Sequence, residues 1–255
     1  MKQVTKNELI HLEKYNPQLD WYTLKNKIPK EIKDDMEDEL LFELVRPWPF
    51  ERGNSTGYRS TLNGQGGTMD YRFLESSVDN FEFFKKHLQK YNPKYILETG
   101  TNAGILSWFC FKFLKEFELH TIDFNEESEF FINKIQNYFN ESKSSNKGIV
   151  HFYKDTSPEC FDNQWWNDNE FKTKKFDLAF LDAGHHYSML YGELQAAKKL
   201  DIPVIFVDDW QNPDLDKAIT DFEKETDYNI IFSKEGLEPK KVGYVKILEK
   251  EGYTK

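Results

Sequence analysis

The sequence predicts an α/β protein with one mostly parallel sheet of seven strands, closed at its C-terminal end by an antiparallel hairpin. A helical appendage and a lid loop precede the sheet. Three observations carry this reading. From Ser77 onward, short apolar runs alternate with longer segments of helical period. The first run, YILETGTNAG, passes through a glycine-bearing turn straight into the helical segment ILSWFCFKFL. The last two runs are joined by a glycine-containing loop, the arrangement of a hairpin.

In chain order, residues 1 to about 45 read as helical: Thr5 and Glu8 have the spacing of a capping box, and Pro29 stands where a second helix through Leu40 to Val45 would begin. The stretch from Arg46 to Gly67 is dense in Gly, Pro, Ser and Asn, and it is long for a connector inside a compact domain, as lids are. An amphipathic helix then runs from Ser77 to Pro93. Strands are expected at 95–98, 119–123, 149–153, 178–182 and 204–208, each followed by a helix, with the hairpin at 229–232 and 242–248. No internal repeat is visible.

Composition removes several classes of function. A formal net charge of −10, without a compensating basic cluster, argues against a nucleic-acid partner. The two cysteines, Cys110 and Cys160, sit in aromatic-rich segments and suit reduced buried thiols rather than a disulfide framework. The first residues contain no apolar stretch of signal-peptide type, and Ile105–Leu114 is too short to span a bilayer, so a cytoplasmic protein off the membrane is expected.

The chemistry concentrates where apolar runs end. Gly100 and Gly104 let the backbone approach a ligand at the free N–H groups of the next helix, with Thr101 and Asn102 between them. The spacing is E-x-G-x-x-x-G rather than G-x-G-x-x-G, which disfavours a dinucleotide pyrophosphate. Glu98 before the turn would repel phosphate but suits a cationic amino-acid group. Asp123 ends the second run 23 residues after Gly100, where a carboxylate accepts from ribose hydroxyls. Asp155 and Thr156 follow the third run, at the position of an adenine-side loop; an ordinary Asx turn reads equally well there.

Asp182 ends the fourth run and Asp208 and Asp209 the fifth. Neighbouring strands about 5 Å apart would bring the three carboxylates into one pocket. Unpaired they would repel one another, so a hard divalent cation, Mg²⁺ or Mn²⁺, is the natural compensation. His185, three residues past Asp182, would reach a substrate beside that cation as a general base, with His186 competing for the role.

Together ETGTNAG, TID, FLDAGHHY and VDDW resemble the class I S-adenosylmethionine-dependent methyltransferases, and more narrowly the metal-dependent O-methyltransferases, which include macrocin-type sugar methyltransferases and relatives of the cephalosporin-biosynthesis methyltransferase-like proteins. The likeness covers roughly residues 75 to 250. It implies a Rossmann-like methyltransferase fold, with residues 75–255 as the cofactor-binding domain and 1–74 as appendage and lid. In that group a D-x-x-H-x-Y segment follows strand four, matched here by Asp182, His185 and Tyr187. By resemblance Asp182, Asp208 and Asp209 would hold the metal and His185 would be the base, with Asp182 serving cofactor, metal and catalysis together. Two departures stand out: Asn102 replaces a common glycine, and DIPV lacks the usual Gly-Gly before strand five.

The implied acceptor is a hydroxyl of a sugar or glycosylated metabolite, with a small phenol or catechol as runner-up. Trp48, Tyr58, Arg59 and Arg72 are candidate acceptor contacts. A nicotinamide-dependent dehydrogenase and a noncatalytic nucleoside-binding protein on the same fold are the competing readings. The aromatic-rich N-terminal helices would pack on their own domain or on a second copy, which leaves a homo-oligomer open.

Overall fold

The computed structural model describes residues 68–102, 104–141, 146–162, 174–234 and 244–254. By internal contacts the chain divides into residues 1–81 and 82–255. The helices expected before residue 45, the lid loop 46–67, and Trp48, Tyr58 and Arg59 lie outside the described residues; Arg72 falls on the first described helix.

The elements are α1 (Thr68–Tyr91), β1 (Tyr95–Thr99), α2 (Ile105–Phe113), β2 (Glu116–Asp123), α3 (Glu127–Glu141), β3 (Lys147–Lys154), a 3₁₀ turn (Glu159–Asp162), β4 (Leu178–Leu181), α4 (Tyr187–Lys199), β5 (Val204–Val207), α5 (Pro213–Glu225), β6 (Tyr228–Ser233) and β7 (Lys246–Lys250). They form a seven-stranded sheet in the order β3-β2-β1-β4-β5-β7-β6. β1 to β5 pair in parallel, and β7 inserts antiparallel between β5 and β6. The expected parallel sheet with a C-terminal antiparallel pair is therefore the architecture found.

Element ends differ from the sequence reading for local reasons. α1 begins at Thr68 rather than Ser77, because MDYRFLES continues with good helix formers after Gly67. β2 begins at Glu116 rather than Leu119: Phe117 is buried, and Glu118 pairs with Tyr95, extending the ladder through residues that look polar in the text. β7 continues to Lys250, which pairs with Tyr228, while residues 242–243 lie outside the described residues.

Alternation along the central strands sorts the core into two layers. Phe180 and Phe206 point to one face, where Phe84 meets Phe180 edge-on at 5.4 Å and stacks on Phe109 of α2 at 4.7 Å. Phe83 meets Phe206 on the same face at 5.4 Å. Ala179, Leu181, Ile205 and Val207 point to the other face and pack with Leu190 and Leu194 of α4 and Ile219 and Phe222 of α5. β4 and β5 are buried along their whole length, as expected for parallel strands covered on both sides.

The sheet order reverses between β1 and β4, since β2 and β3 extend to one side and β5 to the other. Such a switch opens a crevice beyond the carboxyl ends of the strands, the place where this topology binds ligands. Leading into β5, α4 ends in a Schellman motif: Asp201 N–H donates to Lys198 O at 2.9 Å and Ile202 N–H to Ala197 O at 3.0 Å. Asp201 takes the left-handed conformation there, φ +58°. The missing Gly-Gly before strand five is thus replaced by an aspartate in a glycine's conformation. Asp201→Gly relieves that backbone cost and is expected to raise unfolding stability by up to about 1 kcal/mol in denaturant titration, with activity unchanged.

Candidate active site

The parallel ladder continues one residue past each strand end. Gly100 N–H donates to Ile122 O at 2.9 Å, Asp182 N–H to Thr99 O at 2.9 Å, Asp208 N–H to Leu181 O at 3.1 Å, and Asp155 N–H to Asp123 O at 3.2 Å. The residues singled out at the ends of separate apolar runs therefore line one rim of the sheet. Gly100 sits in the middle of it with φ +83°, and a Cβ added there would lie 2.3 Å from Asp182 O. Only glycine lets these two tips meet.

The loop after β1 is knitted to β2. Asn102 adopts φ +47°, so it fills the place of the usual glycine by taking a conformation that asparagine tolerates. Its N–H donates to Asp123 Oδ2 at 2.8 Å, and Asn125 N–H donates to Asp123 Oδ1 at 2.8 Å. Asp123 thus binds two loops through one lone pair on each oxygen, which leaves a second lone pair on each. Gly104, φ +76°, faces the methyl ends of Ile132 and Ile135, so its role here is the entry of α2 and close packing on α3.

Glu98 is fully buried and accepts from Thr121 Oγ, whose oxygen also meets Thr101 Oγ. Burial pushes the Glu98 carboxyl up to about 8, against the Thr121 hydrogen bond, with the nearby Asp123 adding to the rise. Asp155 Oδ1 accepts from the N–H of the next residue, Thr156, at 2.8 Å, and Thr156 O accepts from Cys160 N–H. The next residue, Ser157, donates to Glu193 Oε1 of α4. Glu193 is buried, and burial pushes it up to about 7.

Sequence reasoning missed Glu193 because nothing in the helical text YGELQAAKK marks an inward carboxylate. It also missed Phe124, which follows Asp123 at the rim and leaves 57% of its surface exposed. An aromatic directly after an acidic strand end was the available signal.

The acidic cluster forms as expected, with a different grouping. One ligand atom each from Asp182, His185 and Asp209 lies within 4.8 Å of the others. His185 Nδ1 stands 3.4 Å from Asp209 Oδ2. Asp208 stays outside this trio and spends Oδ1 on Asp209 N–H at 2.9 Å. Burial first, then Asp208 and Asp209, hold the Asp182 carboxyl well above the carboxylate range, and burial with Asp209 pushes Asp208 up to about 7.

His185 and His186 are both exposed, but only His185 meets the acids. Asn212 holds it from behind: its amide donates to His185 O at 3.1 Å, while its Oδ1 caps α5 by accepting from Asp214 N–H at 3.0 Å. Two carboxylates and an imidazole converging on one point suit a divalent cation, whose charge would offset the repulsion that helps raise Asp182.

A sheet in this order, with a glycine turn leaving β1 and an acid ending β2, is that of the Rossmann-like methyltransferase class. Residues 97–210 match the model of a family described as a methyltransferase domain. The matched span carries the glycine turn after β1, Asp123 and the Asp182–His185–Asp209 cluster. Among solved structures the chain is similar to an O-methyltransferase from Bacillus cereus in complex with S-adenosylhomocysteine (16% identity, 75% of this chain and 94% of that one, TM-score 0.51). It is also similar to an O-methyltransferase of tomaymycin synthesis from Streptomyces achromogenes, in complex with S-adenosylmethionine (16% identity, 90% and 99%, TM-score 0.54). A third likeness is to a structure from Klebsiella pneumoniae described as a putative O-methyltransferase (14% identity, 91% and 95%, TM-score 0.55). No protein of curated function matches the chain by sequence. Among the described residues no helix is long and apolar enough to cross a membrane.

Two outcomes follow. Gly100→Ala combines a left-handed φ with a backbone clash and is expected to cost about 3 kcal/mol of stability, read as a lowered urea midpoint. Neutral Glu98 favours folding fully below its ordinary value of 4.5, and that contribution is lost as pH rises through about 8. The wild-type midpoint should therefore fall more than that of Glu98→Gln between pH 5 and pH 9; equal falls would remove Glu98 from this role.

Proposed function

We propose that the protein transfers a methyl group from S-adenosylmethionine to a hydroxyl oxygen, with a divalent cation, Mg²⁺ or Mn²⁺, assisting. The observation that carries this reading is the Asp182–His185–Asp209 cluster seated against the Gly100 turn. The cofactor would lie across the tips of β1 and β2, its ribose on the free lone pairs of Asp123 and its adenine between Phe124 and the Asp155–Thr156 loop. Glu98, with Thr101 and Asn102 above it, would face the cationic amino-acid end.

Asp182 and Asp209, with Asp208 beside them, would hold the cation, which as a Lewis acid lowers the acceptor hydroxyl's pKa. Asp209 on Nδ1 orients the His185 ring, and the opposite nitrogen would take the acceptor proton. Because the methyl group arrives activated on sulfur, the chain's main task is alignment of the two reactants. The acceptor is a sugar or glycosylated metabolite, a choice supported by the resemblance of FLDAGHHY and VDDW to the macrocin-type enzymes. Residues 75–255 would be the methyltransferase domain, with 1–74 as a helical appendage and lid loop.

The test is titration calorimetry of the cofactor-free protein with S-adenosylmethionine, with and without Mg²⁺, NADH serving as control, followed by methyl-transfer assays on sugars and catechols. Micromolar binding of the methyl donor alone is expected, and a folded sample that binds neither would overturn the proposal. His185→Ala is expected to lower kcat about 10²- to 10⁴-fold while Mg²⁺ affinity stays within a few-fold. Loss of both together would make His185 a ligand instead of the base.

A further inference from the structure

A second cluster of metal-ligating side chains lies away from the rim, on the opposite half of the sheet. The strand register brings two histidines and a glutamate together there. Glu118 and His120 are two apart on β2 and so share a face, and His151 of β3 stands directly opposite His120. The two rings stack at 4.7 Å. His120 Nε2 lies 2.9 Å and His151 Nε2 3.3 Å from the same oxygen, Glu118 Oε1. Ligands held at about 2.0–2.2 Å around one small cation stand roughly 3 to 3.5 Å apart; the two distances to Glu118 fit such a shell, and all three donor atoms lie within 4.8 Å of one another.

The surroundings also suit a metal. Tyr153 OH is 3.1 Å from His120 Nδ1, in position to accept the ring proton when Nε2 coordinates. Burial, then the Lys174 charge, push the His120 imidazole down to about 4, which keeps the ring neutral. The His151 side chain is 40% exposed and gives the site an opening to solvent. Among the described residues Lys174 brings a positive charge into the cluster: its Nζ bonds Glu118 Oε1 and lies 3.1 Å from His120 Nε2. The chain has thus placed its own cation against two of the three donors.

We propose that Glu118, His120 and His151 form a second metal site, selective for a borderline transition cation such as Zn²⁺, Ni²⁺ or Co²⁺, and that the Lys174 ammonium fills this place until the metal displaces it. Two imidazoles with one carboxylate favour such ions over Mg²⁺. The bound ion would tie β2 to β3, the strands whose ends carry Asp123 and Asp155, and so stiffen that half of the rim without touching the acidic trio.

The experiment is calorimetric titration of the untagged full chain with Zn²⁺, with Co²⁺ d–d absorption as a spectroscopic check. His151→Ala, at a half-exposed position that should not disturb folding, is expected to remove one equivalent of Zn²⁺. Asp209→Asn should leave that equivalent in place, and Lys174→Met should bind it about tenfold more tightly, since no ammonium competes. An unchanged stoichiometry in His151→Ala overturns the site and leaves the cluster an ion-pair network. Unchanged or weakened affinity in Lys174→Met overturns the guarding role.

Discussion

Everything at the rim depends on one constraint: the parallel ladder runs one hydrogen bond beyond each strand. Thr99 pairs with both Ile122 and Leu181, and Leu181 with Val207, so the next residues, Gly100, Asp182 and Asp208, must stand side by side. Three apolar runs separated by more than twenty residues each thereby deliver their terminal groups to one line. The glycine is what makes the line narrow. With its hydrogen in place of a Cβ, the β1 turn touches the backbone of Asp182, and the expected cofactor loop and the acidic cluster become neighbours instead of separate sites.

Much of this was legible in the sequence, for a specific reason. A buried parallel strand is a short apolar run, and a polar residue at its end has nowhere to go except the rim, so YILETG, FLDAG and VIFVDD announce both strand and site. The departures were legible only after folding. Asn102 and Asp201 look like losses of glycine in the text, yet both adopt left-handed backbone, so the turns survive with other residues. The grouping of Asp182 with His185 and Asp209 rather than with Asp208 depends on the positive φ of Asp209, +55°, which no pattern of residue types encodes.

The second cluster shows the same limit. Glu118 and His120 could be put on one face from their spacing alone, but His151 joins them only because β3 pairs with β2 in a register that sets His120 against His151. Helix text hides inward polar groups in a similar way. Glu193 reads as one charge among several in YGELQAAKK, whereas α4 turns it beneath the Asp155–Ser157 loop, where it accepts from Ser157.

The crowding of acids has a cost that shapes the rest of the domain. Glu98, Asp182, Glu193 and Asp208 all have carboxyl groups raised by burial, so each disfavours the folded state when ionised. The sheet carries them because the layers beside it are unusually rich in large apolar side chains: α2 buries Trp108, Phe109 and Phe111, and Phe84, Phe180 and Phe206 pack behind β1, β4 and β5. Each such ring removes on the order of 150–250 Å² from water. The aromatic abundance of this chain and its acidic rim are therefore two sides of one arrangement. A core this apolar can hold four raised carboxyl groups in place before any cation arrives to offset them.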